Sequence, residues 1–289
     1  MIKALITIYN PTKEVPNNIK KIISQVDEVF LCDNSEKDNS LLFKEILNEN
    51  VHYVFFNKNL GLSKAFNKVL KEMKYNWNND DYIIFFDQDS NINDNHISLL
   101  IDEYNNINTL KKDIGCLGTI YYDMNTKTYQ IPKAKQQINK NSYKVKSVIT
   151  SSMVTTYKNL KKVNFWNEKI FLDYVDWDFC WRLQQSNLSC YITKVSPINH
   201  ALGDGEKKVG IIKVKVGKPF RIYYQTRDGL YLLKERYVPF KYKVRFILNL
   251  TVRPIVHILV LGDKKKRVKY FFKGINDFFS NKNGAIQNK

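Results

Sequence analysis

Two carboxylates one residue apart, Asp87 and Asp89, follow an apolar run at residues 82–86. Such a run is typical of a strand buried on both faces of a parallel sheet, and open α/β sheets bind ligands at the carboxyl ends of their strands. Paired carboxylates at that edge supply oxygen ligands for Mg²⁺ or Mn²⁺, and a bound diphosphate can complete the coordination. We therefore predict a divalent-cation site here, although an isolated Asp-x-Asp triplet is also common in solvated loops.

Three more turns carry polar residues that suit a nucleotide, and each follows a predicted strand. Parallel strands bring their carboxyl ends to one edge of the sheet, so these turns should meet Asp87. A buried Asp33 could accept from a pyrimidine N–H, the turn at Gly61 exposes backbone N–H groups, and Lys64 adds positive charge for a phosphate. Ordinary turns also favour Asn, Asp, Ser and Gly, so the convergence of the turns is what carries the prediction. The candidate nucleotide-binding residues are Thr7, Tyr9, Asn10, Asp33, Asn34, Asn59, Gly61, Lys64, Asp87 and Gln88.

The acids at residues 173–178 include a candidate general base. Asp176 begins a predicted helix, where the helix dipole favours the ionised carboxylate, and an ionised carboxylate at a pocket rim can take up a proton. Asp178 and Arg182 stand four residues apart and can pair on one helix face. Asp176 could instead be an N-capping residue of a surface helix, and Asp173 and Asp178 are rival bases.

His200 is a second candidate metal ligand. Its neutral imidazole could complete a cation shell begun by Asp89, although a lone histidine is more often a hydrogen-bonded structural residue. The cysteines have neither C-x-x-C pairing nor metal-ligand spacing with the histidines, so we expect them to be reduced and mostly buried, as in a cytosolic protein. They are Cys32, Cys116, Cys180 and Cys190.

Strands and helices must alternate over the first 120 residues to place these side chains. This rhythm predicts an α/β fold with a mostly parallel central sheet and helices on both faces. The expected strands are 4–9, 29–32, 53–56, 82–86 and 114–120, and the expected helices are 17–25, 41–47, 62–73 and about 97–104. Residues 123–147 are polar and predict a loop or hairpin, followed by a strand-like segment at 147–155, a helix at 176–185 and a strand at 190–193. We assign residues 1–205 to a first domain.

The carboxyl-terminal part of the chain differs in charge. The 289 residues carry a net charge of +18, of which residues 201–289, with 21 Lys and Arg against 6 Asp and Glu, contribute +15. Basic, aromatic helices are expected at about 220–236, 241–261 and 265–280, after a boundary near 205–218. A basic region of this kind is typical of proteins that bind a polyanion, either nucleic acid or an anionic membrane.

One apolar segment, residues 246–261, favours the membrane. It is interrupted by Arg253 and Pro254 and is followed by a basic run at 264–267, as in a helix that lies in the membrane interface without crossing it. The alternative is a pair of helices packed on the core. The front half has no basic face and no nucleic-acid motif, so no nucleic acid is expected. We therefore predict that residues 206–289 form a basic amphipathic helical region that associates with the membrane.

Six motifs in one order carry a resemblance to a known family. They are Thr-x-Tyr-Asn-Pro at 7–11, Asp-Asn-Ser at 33–35, Asn-x-Gly-x-x-x-Ala-x-Asn at 59–67, Asp-Gln-Asp-Ser at 87–90, Asp-Tyr-Val-Asp-x-x-x-Cys-x-Arg at 173–182 and His-x-Leu-Gly-Asp at 200–204. The set resembles the family-2 glycosyltransferases, and within them a bacterial rhamnosyltransferase branch. The resemblance covers about residues 3–280.

The resemblance implies an A-type glycosyltransferase fold and the transfer of a sugar with inversion at the anomeric carbon. With dTDP-β-L-rhamnose as the donor, the product would be an α-L-rhamnoside. By motif, Asp176 takes the position of the family's catalytic base, where many relatives have Glu-Asp and this chain has Val-Asp. Asp89 and His200 would hold Mg²⁺ or Mn²⁺, and His200 could instead contact phosphate. The other motif residues would hold the nucleotide, with Thr7, Tyr9, Asp33 and Asn59 at the base and ribose, Lys64 nearby and Asp87 at the ribose. Residues 1–205 would then form the nucleotide-sugar-binding catalytic domain, with an acceptor subregion from about 120.

The expected partners are a nucleotide-sugar donor, a lipid-linked oligosaccharide acceptor in cell-surface polysaccharide synthesis, and the anionic inner face of the cell membrane. The amino terminus enters a strand directly, without a signal-peptide pattern, so a cytoplasmic, peripheral location is expected. A UDP-hexose donor (galactose, glucose or GlcNAc) and a homodimer stay open. The rival functions are a nucleotidyltransferase, which should have a basic, glycine-rich phosphate loop near its amino terminus, and a non-catalytic membrane scaffold.

Overall fold

The computed structural model describes residues 1–123, 127–132, 135–200, 206–209, 212–215 and 217–287. The strands are β1 (Ile2–Ile8), β2 (Glu28–Asp33), β3 (Val51–Phe55), β4 (Tyr82–Asp87), β5 (Ile114–Asp123), β6 (Thr128–Gln130), β7 (Lys135–Gln137), β8 (Ser142–Val145), β9 (Met153–Thr156), β10 (Ser189–His200), β11 (Glu206–Val209) and β12 (Ile212–Lys215). The helices are α1 (Val15–Ile23), α2 (Ser40–Phe43), α3 (Leu62–Asn67), α4 (His96–Lys111), α5 (Tyr157–Lys162), α6 (Val175–Gln185), α7 (Arg221–Lys234), α8 (Phe240–Val260) and α9 (Lys264–Phe279).

Ten strands form one mixed sheet in the order β3-β2-β1-β4-β9-β5-β10-β8-β7, with β6 paired to β5. The strands β3, β2, β1 and β4 are parallel to one another, and β10 is parallel to β5. The strand β9 lies antiparallel between β4 and β5, and β8 is antiparallel to β10. The sheet is therefore mixed and not mostly parallel, while its parallel core is as predicted and puts the ends of β1 to β4 on one edge.

Each strand of the parallel core contributes to two apolar layers, because alternate side chains point to opposite faces. In β1, Ala4 and Ile6 belong to the layer under α1, α2 and α4, while Leu5 belongs to the layer under α3, α5 and α6. All three side chains are fully buried. The prediction of helices on both faces is confirmed.

Local departures from the predicted elements occur where the chain leaves the parallel core. The polar stretch 123–147 contains the short strands β6, β7 and β8, and the expected strand at 147–155 is confined to β9. The helix expected at 62–73 is α-helical only as α3 and continues as a π-helical turn, Lys68–Glu72. The region 206–289, which is predicted to be helical, begins with an antiparallel ribbon of β11 and β12. The prediction of helix is therefore wrong for these two segments.

The helices α7, α8 and α9 lie close to the bounds predicted for the carboxyl-terminal region. Leu232 of α7 and Phe246 of α8 are buried in the same apolar cluster as Phe179 and Trp181 of α6. The carboxyl-terminal helices thus share their core with the part of the chain that carries Asp176.

Candidate active site

The ends of β1, β2 and β4 lie side by side at one edge of the sheet. Ile8 of β1 pairs with Asp33 of β2, and Thr7 pairs with Asp87 of β4 on the other side. The Thr7 hydroxyl donates to the carbonyl of Phe86 at 3.3 Å. The two acids that the sequence predicts at this edge are thus separated by the single strand β1.

Asp33 is fully buried, and both of its carboxylate oxygens already accept hydrogen bonds from the protein. The backbone N–H of Ser35 donates to Oδ1 at 2.8 Å, while the Tyr53 hydroxyl and the Asn39 side chain donate to Oδ2 at 2.6 and 2.9 Å. Burial and the neighbouring Asp33 carboxylate raise the pKa of Tyr53, which keeps its phenol protonated as a donor. Through these bonds Asp33 links the turn that follows β2 to the neighbouring strand β3. Its contact with a pyrimidine stays a prediction.

The turns after β1 and β4 are tied together by Gln88. Its side-chain oxygen accepts from the backbone N–H of Tyr9 at 2.8 Å, and its amide donates to the Tyr9 carbonyl at 3.2 Å. Next to it, Asn10 adopts a positive φ of 46° and donates its N–H to the Ser35 hydroxyl at 2.8 Å. The Tyr9 side chain is left exposed. Gln88 and Asn10 therefore hold the two turns in place, and the ring of Tyr9 is exposed at this edge of the sheet.

The turn after β3 is held in the same way. The Asn34 side chain accepts from the N–H of Leu60 at 3.0 Å, and the Asn59 side chain accepts from the N–H of Gly61 at 3.0 Å. Gly61 has a φ of +80°, and a Cβ atom there would lie 2.5 Å from the Phe171 ring and 2.7 Å from the Phe171 carbonyl oxygen. Glycine is thus required by backbone conformation and by space. Lys64 is exposed in α3.

Phe171 connects this turn to the segment that carries Asp176. Its carbonyl accepts from the N–H of Leu62 at 2.9 Å, and its own N–H donates to the buried Asp228 of α7 at 2.9 Å. Its ring stacks on Tyr224 of α7, with centroids 4.4 Å apart. The predicted nucleotide turn, the candidate base segment and α7 are therefore in direct contact.

Asp176 has the environment of a carboxyl group with an unusual affinity for protons. Burial, together with the negative charge of Asp87, raises the pKa of Asp176 to about 7, against a hydrogen bond from the Thr150 hydroxyl that lowers it. No ion pair of Asp176 is found in the described part of the chain. The Asp87 N–H donates to the Ser90 hydroxyl at 3.1 Å, and that hydroxyl bonds to the Ser151 hydroxyl at 2.8 Å, so the segment that holds Asp176 through Thr150 is tied to the end of β4.

The rival bases are engaged in other interactions. Asp173 accepts from the Arg221 guanidinium at 2.6 Å. Asp178 is almost fully buried and accepts from Arg182 at 2.7 Å, from the Tyr237 hydroxyl at 2.5 Å and from Asn167 at 3.0 Å. The predicted pair of Asp178 and Arg182 is confirmed, and it leaves Asp176 as the acid of this segment best suited to proton transfer.

The residues predicted to bind metal are described only in part. Asp89 is exposed one residue beyond Gln88, and Asp87 is half-buried at the end of β4. His200 ends β10, but its side chain and residues 201–205 lie outside the described part of the chain. In the described part of the chain, three side chains that could share a metal ion lie close together, and all three are cysteines. The sulfur atoms of Cys116, Cys180 and Cys190 are within 4.8 Å of one another. All four cysteines are free and buried, as predicted.

Several residues of this site carry no signal in the sequence. Thr150 lies in a segment without any catalytic motif, yet its hydroxyl bonds to Asp176. Arg221 and Asp228 belong to α7, about fifty residues beyond the partners that they bind in the 171–173 segment. Their roles depend on the packing of α7, which local periodicity cannot predict.

Comparisons with known proteins identify the family. The sequence profile of Glycosyl transferase family 2 matches residues 4–165, which is more than half of the chain. The chain belongs to glycosyl transferase family 2. It is therefore a glycosyltransferase, as its motifs predict, and the profile includes the ends of β1 to β4 and Thr150.

A relative and two solved structures extend this comparison. The chain is 27% identical over 291 residues to the dTDP-rhamnosyl transferase RfbF of Shigella flexneri, covering 95% of this chain and 93% of the relative. The structure of GalNAc-T7 with UDP, GalNAc and Mn²⁺ matches with a TM-score of 0.58 and 12% identity, over 97% of this chain but 57% of that one. The structure of S. aureus TarS residues 1–349 matches with a TM-score of 0.56 and 14% identity, over 96% and 81% of the two chains. The predicted A-type glycosyltransferase fold is thereby confirmed.

Proposed function

We propose that this glycosyltransferase transfers L-rhamnose from dTDP-β-L-rhamnose to a hydroxyl group of a lipid-linked glycan, with inversion at the anomeric carbon, in the synthesis of a cell-surface polysaccharide. The similarity to a dTDP-rhamnosyl transferase along nearly the whole chain supports the choice of donor. The observation that carries the mechanism is the position of Asp176, which bonds to Thr150 next to Ser151, while the Ser151 hydroxyl bonds to Ser90 in the turn after β4.

In the proposed reaction Asp176 removes the proton of the acceptor hydroxyl while that oxygen attacks the anomeric carbon. The new carbon–oxygen bond forms opposite the bond to the departing nucleoside diphosphate, which inverts the configuration. A base with a pKa of about 7 is well matched to proton transfer near neutral pH. The hydrogen bond from Thr150 orients the Asp176 carboxylate.

The donor would lie over the turns that follow β1, β2, β3 and β4. The ring of Tyr9 is exposed there and can stack on the nucleotide base, while Thr7, Asp33 and Asn59 remain the proposed contacts to base and ribose. The structure gives Asn10, Asn34, Gly61 and Gln88 hydrogen bonds or contacts that hold these turns, so we propose that they position the donor chiefly through the backbone. The exposed Lys64 supplies a cation for the diphosphate.

Asp87 and Asp89 fit a hard divalent cation, because both are carboxylates at the edge where the diphosphate would lie and the Asp89 side chain is exposed to solvent. His200 is the proposed further ligand or phosphate contact. When bound, Mg²⁺ or Mn²⁺ would neutralise the negative charge that collects on the departing diphosphate. The match to a structure that contains UDP and Mn²⁺ supports the use of a divalent ion.

The exposed face of α8 supports an association with membranes. Seven large apolar side chains follow one another at helical spacing and are all exposed: Phe240, Val244, Ile247, Leu248, Val252, Ile255 and Leu259. The helix contains no acidic residue, and a run of exposed lysines begins α9. Across the part of the chain that the structure describes, every helix is too short or too polar to cross a bilayer. We propose a peripheral position on the anionic inner face of the cell membrane, with pairing of two copies through this face as the rival arrangement.

A panel of nucleotide sugars tests the proposed donor. The thermal midpoint of the full chain would be measured with dTDP-rhamnose, UDP-galactose, UDP-glucose and UDP-GlcNAc, each with and without Mn²⁺. A ligand that binds the native state raises the midpoint, so dTDP-rhamnose with Mn²⁺ should give the largest increase. A larger increase with a UDP-hexose would establish the alternative donor, and no increase with any of them would favour a non-catalytic scaffold.

A further inference from the structure

Three consecutive residues with hydroxyl side chains, Thr150, Ser151 and Ser152, form a buried turn directly before β9, which we call the hydroxyl turn. The N–H of Met153 donates to the Thr150 carbonyl at 2.9 Å and closes this turn. Ser152 adopts a φ of 64°, a left-handed conformation that residues other than glycine rarely adopt. A residue strained in this way persists only where its surroundings hold it in place. The contacts of the hydroxyl turn therefore show what holds it.

Two of the three hydroxyl groups bond to parts of the candidate active site. The Thr150 hydroxyl bonds to Asp176, which lies in the first turn of α6. The Ser151 hydroxyl bonds to the Ser90 hydroxyl at 2.8 Å, and Ser90 directly follows the acids of the predicted cation site. The hydroxyl turn thus connects the candidate base to the turn after β4.

The third hydroxyl bonds to a histidine to which the proposed reaction gives no role. His96 is fully buried at the start of α4, with Nε2 at 2.6 Å from the Ser152 hydroxyl and Nδ1 at 2.7 Å from the Ser196 hydroxyl of β10. Burial lowers the pKa of His96 to about 4, so the ring is neutral near pH 7 and has one donor and one acceptor nitrogen. Both nitrogens are used, and rotation of the ring would leave buried polar groups unpaired. His96 is therefore a rigid support for Ser152.

A displacement of the hydroxyl turn would reach the candidate base directly. Thr150 and Ser152 belong to one closed turn, so a movement of one residue displaces the other. The bond from Thr150 is the contact that orients the Asp176 carboxylate in the proposed reaction. A misplacement of about 1 Å in a reacting group can lower a rate by about 10²-fold. His96 can thus affect proton transfer without touching the reacting atoms.

We propose that His96 is a positioning residue for sugar transfer, which through Ser152 fixes the hydroxyl turn and so keeps Thr150 bonded to Asp176. The inference rests on the proposed function, in which Asp176 is the base. The alternative is a histidine that contributes only to the stability of the fold. Such a residue would change the stability of the protein without a selective effect on turnover.

The test compares variants of the full chain that each remove a buried hydrogen bond. Ser152→Ala removes the hydroxyl that His96 holds, and His96→Leu removes both bonds of the ring. Thr150→Val removes the hydroxyl that holds the base and keeps the shape of the side chain. Thr155→Val is the matched control, because Thr155 is also fully buried but its hydroxyl donates to a backbone carbonyl of β5 at 2.6 Å.

Turnover is measured as the release of nucleoside diphosphate with Mn²⁺ present, first from dTDP-β-L-rhamnose and then from the UDP sugars of the thermal-shift panel. Water takes the place of the acceptor hydroxyl in this assay. Its oxygen attacks the anomeric carbon, the base takes its proton, and the bond between the sugar and the diphosphate breaks. The assay therefore uses the same base and needs no identified acceptor.

Ser152→Ala and His96→Leu should lower kcat about tenfold to a hundredfold, while KM for the nucleotide sugar stays within about threefold of the wild type. Thr155→Val should keep kcat within about twofold. In a Thr150→Val background, Ser152→Ala should lower kcat by less than about twofold more, because its effect passes through Thr150. Fully additive losses, an equal loss of kcat in Thr155→Val, or a change confined to KM would overturn the inference.

Amide hydrogen exchange adds a measurement that needs no substrate. The Met153 N–H, which closes the hydroxyl turn, should exchange faster in Ser152→Ala and His96→Leu than in Thr155→Val, and equal rates would overturn the inference. Asp176→Asn in the turnover assay separates the two proposals. Turnover of Asp176→Asn at the wild-type rate would refute the proposed base, whereas a loss there with unchanged kcat in Ser152→Ala and His96→Leu would overturn the role of His96 alone.

Discussion

Replacing Gly61 by alanine should destabilise the protein through two separable effects. Gly61 has φ +80° and ψ 169°, a region open essentially to glycine alone, and a side chain there costs about 1–3 kcal/mol in backbone strain. The new Cβ would also overlap the Phe171 ring and its carbonyl oxygen, at 2.5 and 2.7 Å. Phe171 cannot move freely, because its N–H bonds to Asp228 and its ring stacks on Tyr224. Overpacking of this kind costs about another 1–3 kcal/mol.

Gly284 is a matched control, since it also has a φ of +80° but no atom lies within 4 Å of the position of its Cβ. Denaturant unfolding followed by tryptophan fluorescence should show a loss of about 2–6 kcal/mol for Gly61→Ala and about 1–2 kcal/mol or less for Gly284→Ala. The Michaelis constant for the nucleotide sugar should rise in Gly61→Ala, because the displaced turn carries Asn59. Equal losses in the two variants, or a Gly61→Ala protein as stable as the wild type, would refute the contact between Phe171 and the turn.

Four further predictions concern the charged residues of the site and the exposed apolar face of α8. Because Asp176 must be ionised to accept a proton and its pKa is raised to about 7, kcat/KM should fall about tenfold per pH unit below 7, as measured by a pH–rate profile; a flat profile down to pH 5 would contradict this. The same raised pKa means that the folded state gains stability as pH falls from above 7 towards the ordinary pKa of an aspartate. Asp176→Asn should therefore be more stable than the wild type at pH 8 in denaturant unfolding. A less stable variant would argue against burial as the cause of the raised pKa. Asp178→Asn should lose about 3–5 kcal/mol in denaturant unfolding, because it removes the partner of the largely buried Arg182; a loss below 1 kcal/mol would be inconsistent with that pair. Ile247→Asp should reduce co-sedimentation with phosphatidylglycerol vesicles. Leu99→Asp, the same kind of change at an exposed position of α4, should not. Equal binding of the two variants would contradict the proposal that α8 contacts the membrane.

The parallel core and the edge that carries the site could be predicted from the sequence because their signals are local. The buried run before Asp87 and the alternation of strands and helices predict β1, β2, β3 and β4, and parallel pairing then brings Asp33 to the same edge as Asp87 without further information. The i,i+4 spacing likewise predicts the pair of Asp178 and Arg182, which forms within one helix.

Contacts between distant segments could not be predicted in this way. The strand β9 separates β4 from β5 in the sheet, although nothing in its own sequence indicates that position. Gly61 meets Phe171 across more than a hundred residues, so the pattern shows that a turn occurs there but not what fills the space above it. Asp33 shows the same limit, because its residue type and position predict an acceptor at the site but not the three internal donors that already surround it.

The turnover of Asp176→Asn tests the central claim most directly. The amide keeps the size of the side chain but cannot accept the proton, so sugar transfer should fall by about 10² to 10⁴ while the thermal shift caused by the nucleotide sugar is retained. Asp173→Asn, which weakens the ion pair with Arg221, should stay within about tenfold of the wild type, because that carboxylate is already engaged by a guanidinium. A protein with asparagine at position 176 that turns over at the wild-type rate would contradict the account.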